Sequence, residues 1–154
     1  MKYVERRHAI AVEGAIERVL PMFTPLGEMA WVEGWTPEFI HPESGATQKG
    51  MIFRTGTGDD LTYWACIEWR PDEGSVGYSR VTPSSRSGFV EVRCKSVSPM
   101  VTGVEVSYAY AALTRAGEDY LEGFSGAFFS GMIEEWRAAV NRRLAKNRGT
   151  VVPH

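Results

Sequence analysis

The chain has 154 residues, of which 44% are apolar and 23% charged, with a formal net charge of −2. That length suits one domain, able to bury roughly 70% of the surface its unfolded form exposes, with the composition of an ordinary globular protein. The charge leaves no basic footprint for nucleic acid, and no apolar run approaches the ~20 residues of a membrane span.

The N-terminal run MKYVERRHAIAVEG is charged and alternating, without the apolar core of a signal peptide, so a cytoplasmic, reducing location is expected. Residues Tyr3 to Glu13 read as a strand with one wet face, interrupted by Glu5, Arg6 and Arg7. Gly14 breaks that run, and Ala15 to Met22 offers a short helix with Pro21 near its end. Thr24 can cap a second short helix with Pro25 at its first position, where the missing N–H costs nothing. This helix reaches Trp31, and Gly34 and Pro37 end it. Trp31 and Trp35, four residues apart beside breakers, read either as a lid or wall over one end of a cavity, their indole N–H groups orienting a ligand carbonyl, or equally as a pair filling a hydrophobic corner.

From Met51 the pattern turns to β. Met51 to Thr55, Leu61 to Arg70, Ser75 to Val81, Gly88 to Ser98 and Thr102 to Leu113 read as strands, and the separators TGTGDD, PDEG, TPSSRSG and SPMVTG carry turn chemistry. Short separators imply an antiparallel meander. Cys66 and Cys94 fall in these strands and are too few for a disulfide framework, so free buried thiols are expected, with a single bridge left open.

The last element is a predicted helix from Arg115 or Ala116 to Leu144, capped by Thr114. Leu121, Phe124, Phe128, Met132, Ile133, Trp136, Val140 and Leu144 follow three- and four-residue spacing and make one apolar stripe. Gly123, Gly126 and Gly131 each cost about 1 kcal/mol inside a helix. Either close approach to the sheet or space left for a ligand would explain them. Residues 1–146 form the expected domain and 147–154 a frayed tail.

A sheet of this length buries one face, and the terminal helix is the only element large enough to cover it. The expectation is an α+β fold: a curved antiparallel sheet of six to seven strands wrapped around a long C-terminal helix, with two short helices after the first strand and a cavity between helix and sheet. That order resembles the helix-grip fold of the SRPBCC superfamily, also called START or Bet v 1-like, which includes polyketide cyclases and lipid-transfer proteins. The motifs agree. Thr24 to Trp35, TPLGEMAWVEGW, resembles a segment of uncharacterised bacterial members reading close to TPLGE..WVPGW, with Glu33 where those members tend to have proline. YWACIEW and VGYSRVTPSSRSGFVEV, within Tyr63 to Val92, resemble their strand pairs, and IEEWRAAVNRRL, Ile133 to Leu144, is similar to their C-terminus.

Candidate ligand-binding residues are Trp31, Trp35, Phe53, Trp64, Tyr78, Arg80, Tyr108, Tyr110, Phe124 and Phe128. Alternate strand residues share a face, so Tyr78 goes with Arg80 and Tyr108 with Tyr110. An inward arginine beside tyrosine hydroxyls suits a carboxylate or enolate, although the commoner place of a strand arginine is the solvent face. Arg80, His8 and Tyr108 are the candidate catalytic groups, although a histidine placed like His8 is more often structural than a general base. Glu38 and His41 fall beside prolines rather than on a helix, and Ser84, Ser85 and Ser87 lack a nucleophile elbow. No phosphate loop or dinucleotide fingerprint occurs, so neither cofactor nor metal is expected. Three functions fit: binding of a small hydrophobic molecule, a cyclase or dehydratase acting on a polyketide-like or aromatic carbonyl compound, or a regulatory subunit with a filled cavity. A homodimer is left open.

Overall fold

The computed structural model describes residues 2–149. Seven strands form one antiparallel sheet: β1 (Tyr3–Val12), β2 (Glu38–His41), β3 (Ile52–Thr55), β4 (Thr62–Arg70), β5 (Ser75–Thr82), β6 (Arg86–Ser98) and β7 (Val101–Ala112). Their order across the sheet is β1-β7-β6-β5-β4-β3-β2, so the meander is consecutive except where β1 joins β7 at the far edge. β2 is an element not foreseen in the sequence. It lies between Pro37 and Pro42 and pairs with β3, Glu38 receiving two hydrogen bonds from the Arg54 guanidinium at 2.8 and 3.0 Å.

Two short helices, α1 (Ile16–Val19) and α2 (Pro25–Glu28), follow β1, joined by a single 3-10 turn over Leu20–Phe23. Thr24 caps α2 as expected, its hydroxyl accepting the Gly27 N–H at 3.0 Å, with Pro25 at the first position. The helix packs so tightly on the preceding turn that a Cβ on Gly27 would lie 1.8 Å from the Pro21 carbonyl oxygen. Only glycine fits there.

The terminal helix is not continuous. α3 (Arg115–Gly123) is capped by the Thr114 hydroxyl, which accepts the Gly117 N–H at 3.1 Å, and it stops at Phe124, whose φ/ψ of −88°/56° lies outside the helical region. Ser125 then starts α4 (Gly126–Gly149), its hydroxyl accepting the Phe128 N–H at 3.1 Å and its carbonyl the Phe129 N–H at 2.9 Å. The frayed tail expected from Asn147 lies outside the described residues from 150 onward, while the backbone of 147–149 continues the helix.

That break corrects two expectations. It resets the helical phase, so the stripe facing the sheet is Phe129, Met132, Ile133, Trp136, Val140 and Leu144, and Phe128 points outward at 55% exposure. Gly123, Gly126 and Gly131 are exposed, and a Cβ at any of them meets nothing within 4 Å, so they mark neither close approach nor ligand space. Gly123 and Gly126 flank the break; nothing in the structure explains Gly131.

Alternation along the strands sends one set of side chains into the core that the helices cover: Val90, Val92 and Cys94 from β6, and Val104, Val106 and Tyr110 from β7. Cys66 and Cys94 are buried free thiols, and burial pushes Cys94 up to about 12. His8, on β1, meets Glu134 of α4 at 2.7 Å, and the Asn141 side chain accepts the Glu13 N–H at 2.9 Å, so both tie α4 to the sheet edge.

Candidate functional site

One end of the space between sheet and helix is filled and the other is not. A cavity of about 120 Å³ remains where α2 and the turn after it close over the sheet. Phe53, Trp64, Tyr78, Arg80 and Tyr108 face it from β3, β4, β5 and β7, with Val90 and Val92 of β6 between them. Trp136 faces it from α4, and Phe23, Glu28, Val32 and Trp35 from the segment after β1.

The walls are rigid because the aromatic rings hold one another. Phe53 and Trp64 stack at 5.5 Å with planes 7° apart, and Trp35 meets both edge-on at 6.1 and 5.7 Å. Phe23, Trp31 and Trp136 form a second cluster with centroids 5.6 to 6.3 Å apart. Such offset and edge contacts are the favoured ring geometries. The indole N–H groups of Trp31 and Trp35 are not available to a ligand. They donate to the carbonyls of Met22 at 2.7 Å and Pro25 at 2.9 Å, locking the turn after α2.

Arg80 lies inward beside Tyr78, not on the solvent face. Its guanidinium sits 4.4 Å over the Trp64 ring and 5.4 Å from that of Tyr110. The residue between Arg80 and Tyr110 in the sheet is Gly88, where a Cβ would lie 2.9 Å from the Tyr110 ring, so the absence of a side chain clears this path. The Arg80 Nε–H is buried and has no acceptor among the described residues, and the side chain makes no ion pair there. The Tyr78 hydroxyl is spent, donating to the Phe23 carbonyl at 2.9 Å. That of Tyr108 has no hydrogen-bond partner among the described residues, and burial pushes it well above the usual phenol range.

Glu28, which sequence reasoning passed over, is the only carboxyl lining the cavity. It is half-buried, forms no side-chain hydrogen bond or ion pair among the described residues, and removal from water raises it well above the usual carboxylate range. The protonated form is therefore favoured in the folded state, where more protons are bound than in the unfolded chain over the interval between the two values. Stability contributed by this residue is greatest below the ordinary carboxylate range and falls as pH rises through the folded value. Glu28→Gln is accordingly expected to raise the melting temperature at pH 7, with the gain shrinking toward pH 3. A lower melting temperature at pH 7 would mean that the carboxylate is compensated.

The other sequence candidates lie elsewhere. Trp31, Tyr110 and Phe124 pack in the core without lining the cavity, Phe128 is exposed, and His8 is held by Glu134 at the β1 edge. Trp35, Phe53, Trp64, Tyr78, Arg80 and Tyr108 are brought together. Among the described residues no three His, Cys, Asp or Glu side chains converge to hold a metal, and no helix is long and apolar enough to cross a membrane.

No protein-family model and no curated protein matches the chain. Solved structures do. Norcoclaurine synthase from Thalictrum flavum, in complex with dopamine and hydroxybenzaldehyde, superposes with a TM-score of 0.66 at 10% identity, over 94% of this chain and 88% of that one. A hypothetical protein of Helicobacter pylori gives 0.69 at 8% identity, over 93% and 87%. The Zhui aromatase/cyclase from Streptomyces sp. R1128 gives 0.53 at 14%, over 95% and 89%. The fold is thus the helix-grip fold, the one the sequence resemblance implied.

Proposed function

We propose that this helix-grip protein binds a small, mostly apolar compound of about one ring, carrying a carbonyl or carboxylate oxygen that Arg80 receives. The observation behind this reading is an aromatic-walled cavity lined by one guanidinium that rests on Trp64 and has a buried Nε–H without an acceptor among the described residues. Aromatic walls provide apolar contact and a few polar groups set orientation, the usual division of labour in small-molecule sites. A buried donor without an acceptor costs about 1–3 kcal/mol, which a ligand oxygen would offset. Guanidinium forks suit planar oxygen pairs better than any other side chain.

The volume narrows the ligand. An apolar cavity of about 150 Å³ holds benzene; this one, at about 120 Å³, is somewhat smaller and partly open, so it takes one ring at most, with the ligand's side group in its mouth. Long acyl chains and multi-ring polyketides need a larger space, so lipid carriage and polyketide cyclisation are the less favoured members of the functions open to this fold. The norcoclaurine synthase neighbour was captured with dopamine and hydroxybenzaldehyde, both one-ring compounds.

Titration with phenylpyruvate, a ring bearing a keto acid, followed by intrinsic tryptophan fluorescence tests the reading, since Trp35, Trp64 and Trp136 wall the cavity. Saturable perturbation of the emission is expected, and Trp35→Ala should weaken binding about tenfold, equivalent to about 1.4 kcal/mol. A titration that never saturates, or a Trp35→Ala variant that binds unchanged, would remove the site.

A further inference from the structure

Glu28 has no structural use that needs a carboxyl. Two acids on neighbouring elements are paired, Glu134 with His8 and Arg137, and Glu38 with Arg54. Glu28 alone lines the cavity, with no partner among the described residues, and a glutamine would fill the same space without the cost of desolvation. Its position is nonetheless fixed: the Thr24 cap, the contact at Gly27 and the two indole N–H bonds hold the turn that carries it. Arg80 lines the same cavity, yet the two form no ion pair. An acid and a cation kept apart around a space of one-ring size are placed to act on a ligand lying between them.

We infer that Glu28 is the acid–base residue of a keto–enol isomerisation, exchanging a proton with the carbon next to a carbonyl whose oxygen lies at Arg80. This rests on the binding reading above and gives it a reaction. Toward the ketone, the Glu28 carboxyl gives its proton to the α-carbon, and the C=C electron pair forms the new C–H bond. The enol O–H bond breaks, its electron pair completes the C=O bond and its proton leaves to solvent, from which the carboxylate is reprotonated. One hydrogen moves from oxygen to carbon, and no oxidant or co-substrate is used. In reverse, ionised Glu28 takes the α-proton and the Arg80 guanidinium stabilises the enolate oxygen, charge stabilisation of the oxyanion-hole kind. Desolvation raises the carboxyl well above the usual carboxylate range, the direction in which general acid–base carboxyls are tuned. The titratable and charged groups sharing the cavity with it are Tyr78 and Arg80 from β5 and Tyr108 from β7, while β3, β4 and α4 present Phe53, Trp64 and Trp136. The unpartnered Tyr108 hydroxyl is a second donor for the substrate oxygen.

The test follows α-hydrogen exchange of phenylpyruvate and of acetophenone in D₂O by proton NMR, beside fluorescence binding, for the wild type and Glu28→Gln. Wild type is expected to accelerate exchange over buffer. Glu28→Gln should lose about 10²- to 10⁴-fold of that rate while binding within twofold, and should lack the single ionisation in the wild-type pH profile. Exchange no faster than buffer with binding intact, or equal exchange in the variant, overturns the acid–base role and leaves the binding reading standing. Joint loss of binding and exchange in the variant assigns Glu28 to holding the ligand and likewise overturns it. Failure of both compounds to bind overturns the binding reading and this inference together.

Discussion

Replacing Arg80 by methionine is expected to weaken binding of a carboxylate-bearing one-ring compound about 10- to 100-fold while leaving the protein as stable as before. The loss follows from a charge-assisted hydrogen bond, worth about 1.5–3 kcal/mol when made to an ionised group. The stability expectation follows from two opposed terms. Methionine forfeits the cation–π contacts with Trp64 and Tyr110, worth about 0.5–2 kcal/mol. It also removes a buried Nε–H that has no acceptor, a penalty of about 1–3 kcal/mol. These nearly cancel, so the variant separates binding from folding. Arg80→Lys should recover only part of the affinity, because an ammonium keeps the charge but not the fork. Titration and thermal unfolding of the two variants check both statements, and a strongly destabilised Arg80→Met would show that the guanidinium is a core strut.

Phe129→Ala and Phe128→Ala should behave as opposites although the residues are neighbours. Phe129 is 1% exposed and packs on Tyr108 at 5.3 Å and Phe124 at 5.7 Å, so its truncation is expected to cost about 3–5 kcal/mol. Phe128 is 55% exposed and should cost no more than about 0.5 kcal/mol. Denaturant unfolding of the two variants reads the difference directly. Were the terminal helix continuous from Arg115, with Phe128 in the apolar stripe, the order would reverse.

That pair also shows where the sequence speaks and where it does not. Strand alternation is local, so the shared face of Tyr78 and Arg80 was legible, but which face met α4 was not. That depends on what covers the sheet, and here Val76 and Tyr78 are buried with Arg80 beside them. The break at Phe124 did leave a signal, a serine followed by glycine at the start of a new apolar run, the composition of a helix cap. It was masked because Phe124 and Phe128 themselves continue a four-residue spacing. β2 was too short to register between two prolines. Trp31 and Trp35 were legible as a wall, but their N–H acceptors lie nine and ten residues back along an irregular path that no periodicity reports. Glu28 reads as an ordinary acid in a short helix, and only the closure of the tryptophan turn over the sheet gives it a desolvated setting.

The central claim is that a one-ring ligand enters the cavity beneath α2 rather than an open groove. The outer face of the sheet offers such a groove, about 500 Å³, bordered by Arg7, Phe89 and Glu91. Intermolecular NOEs between the ring protons of phenylpyruvate and the protein distinguish the two. The account predicts contacts to Trp35, Trp64 and Trp136. Contacts confined to Phe89 and its neighbours on the outer face, with none to those three rings, would contradict it.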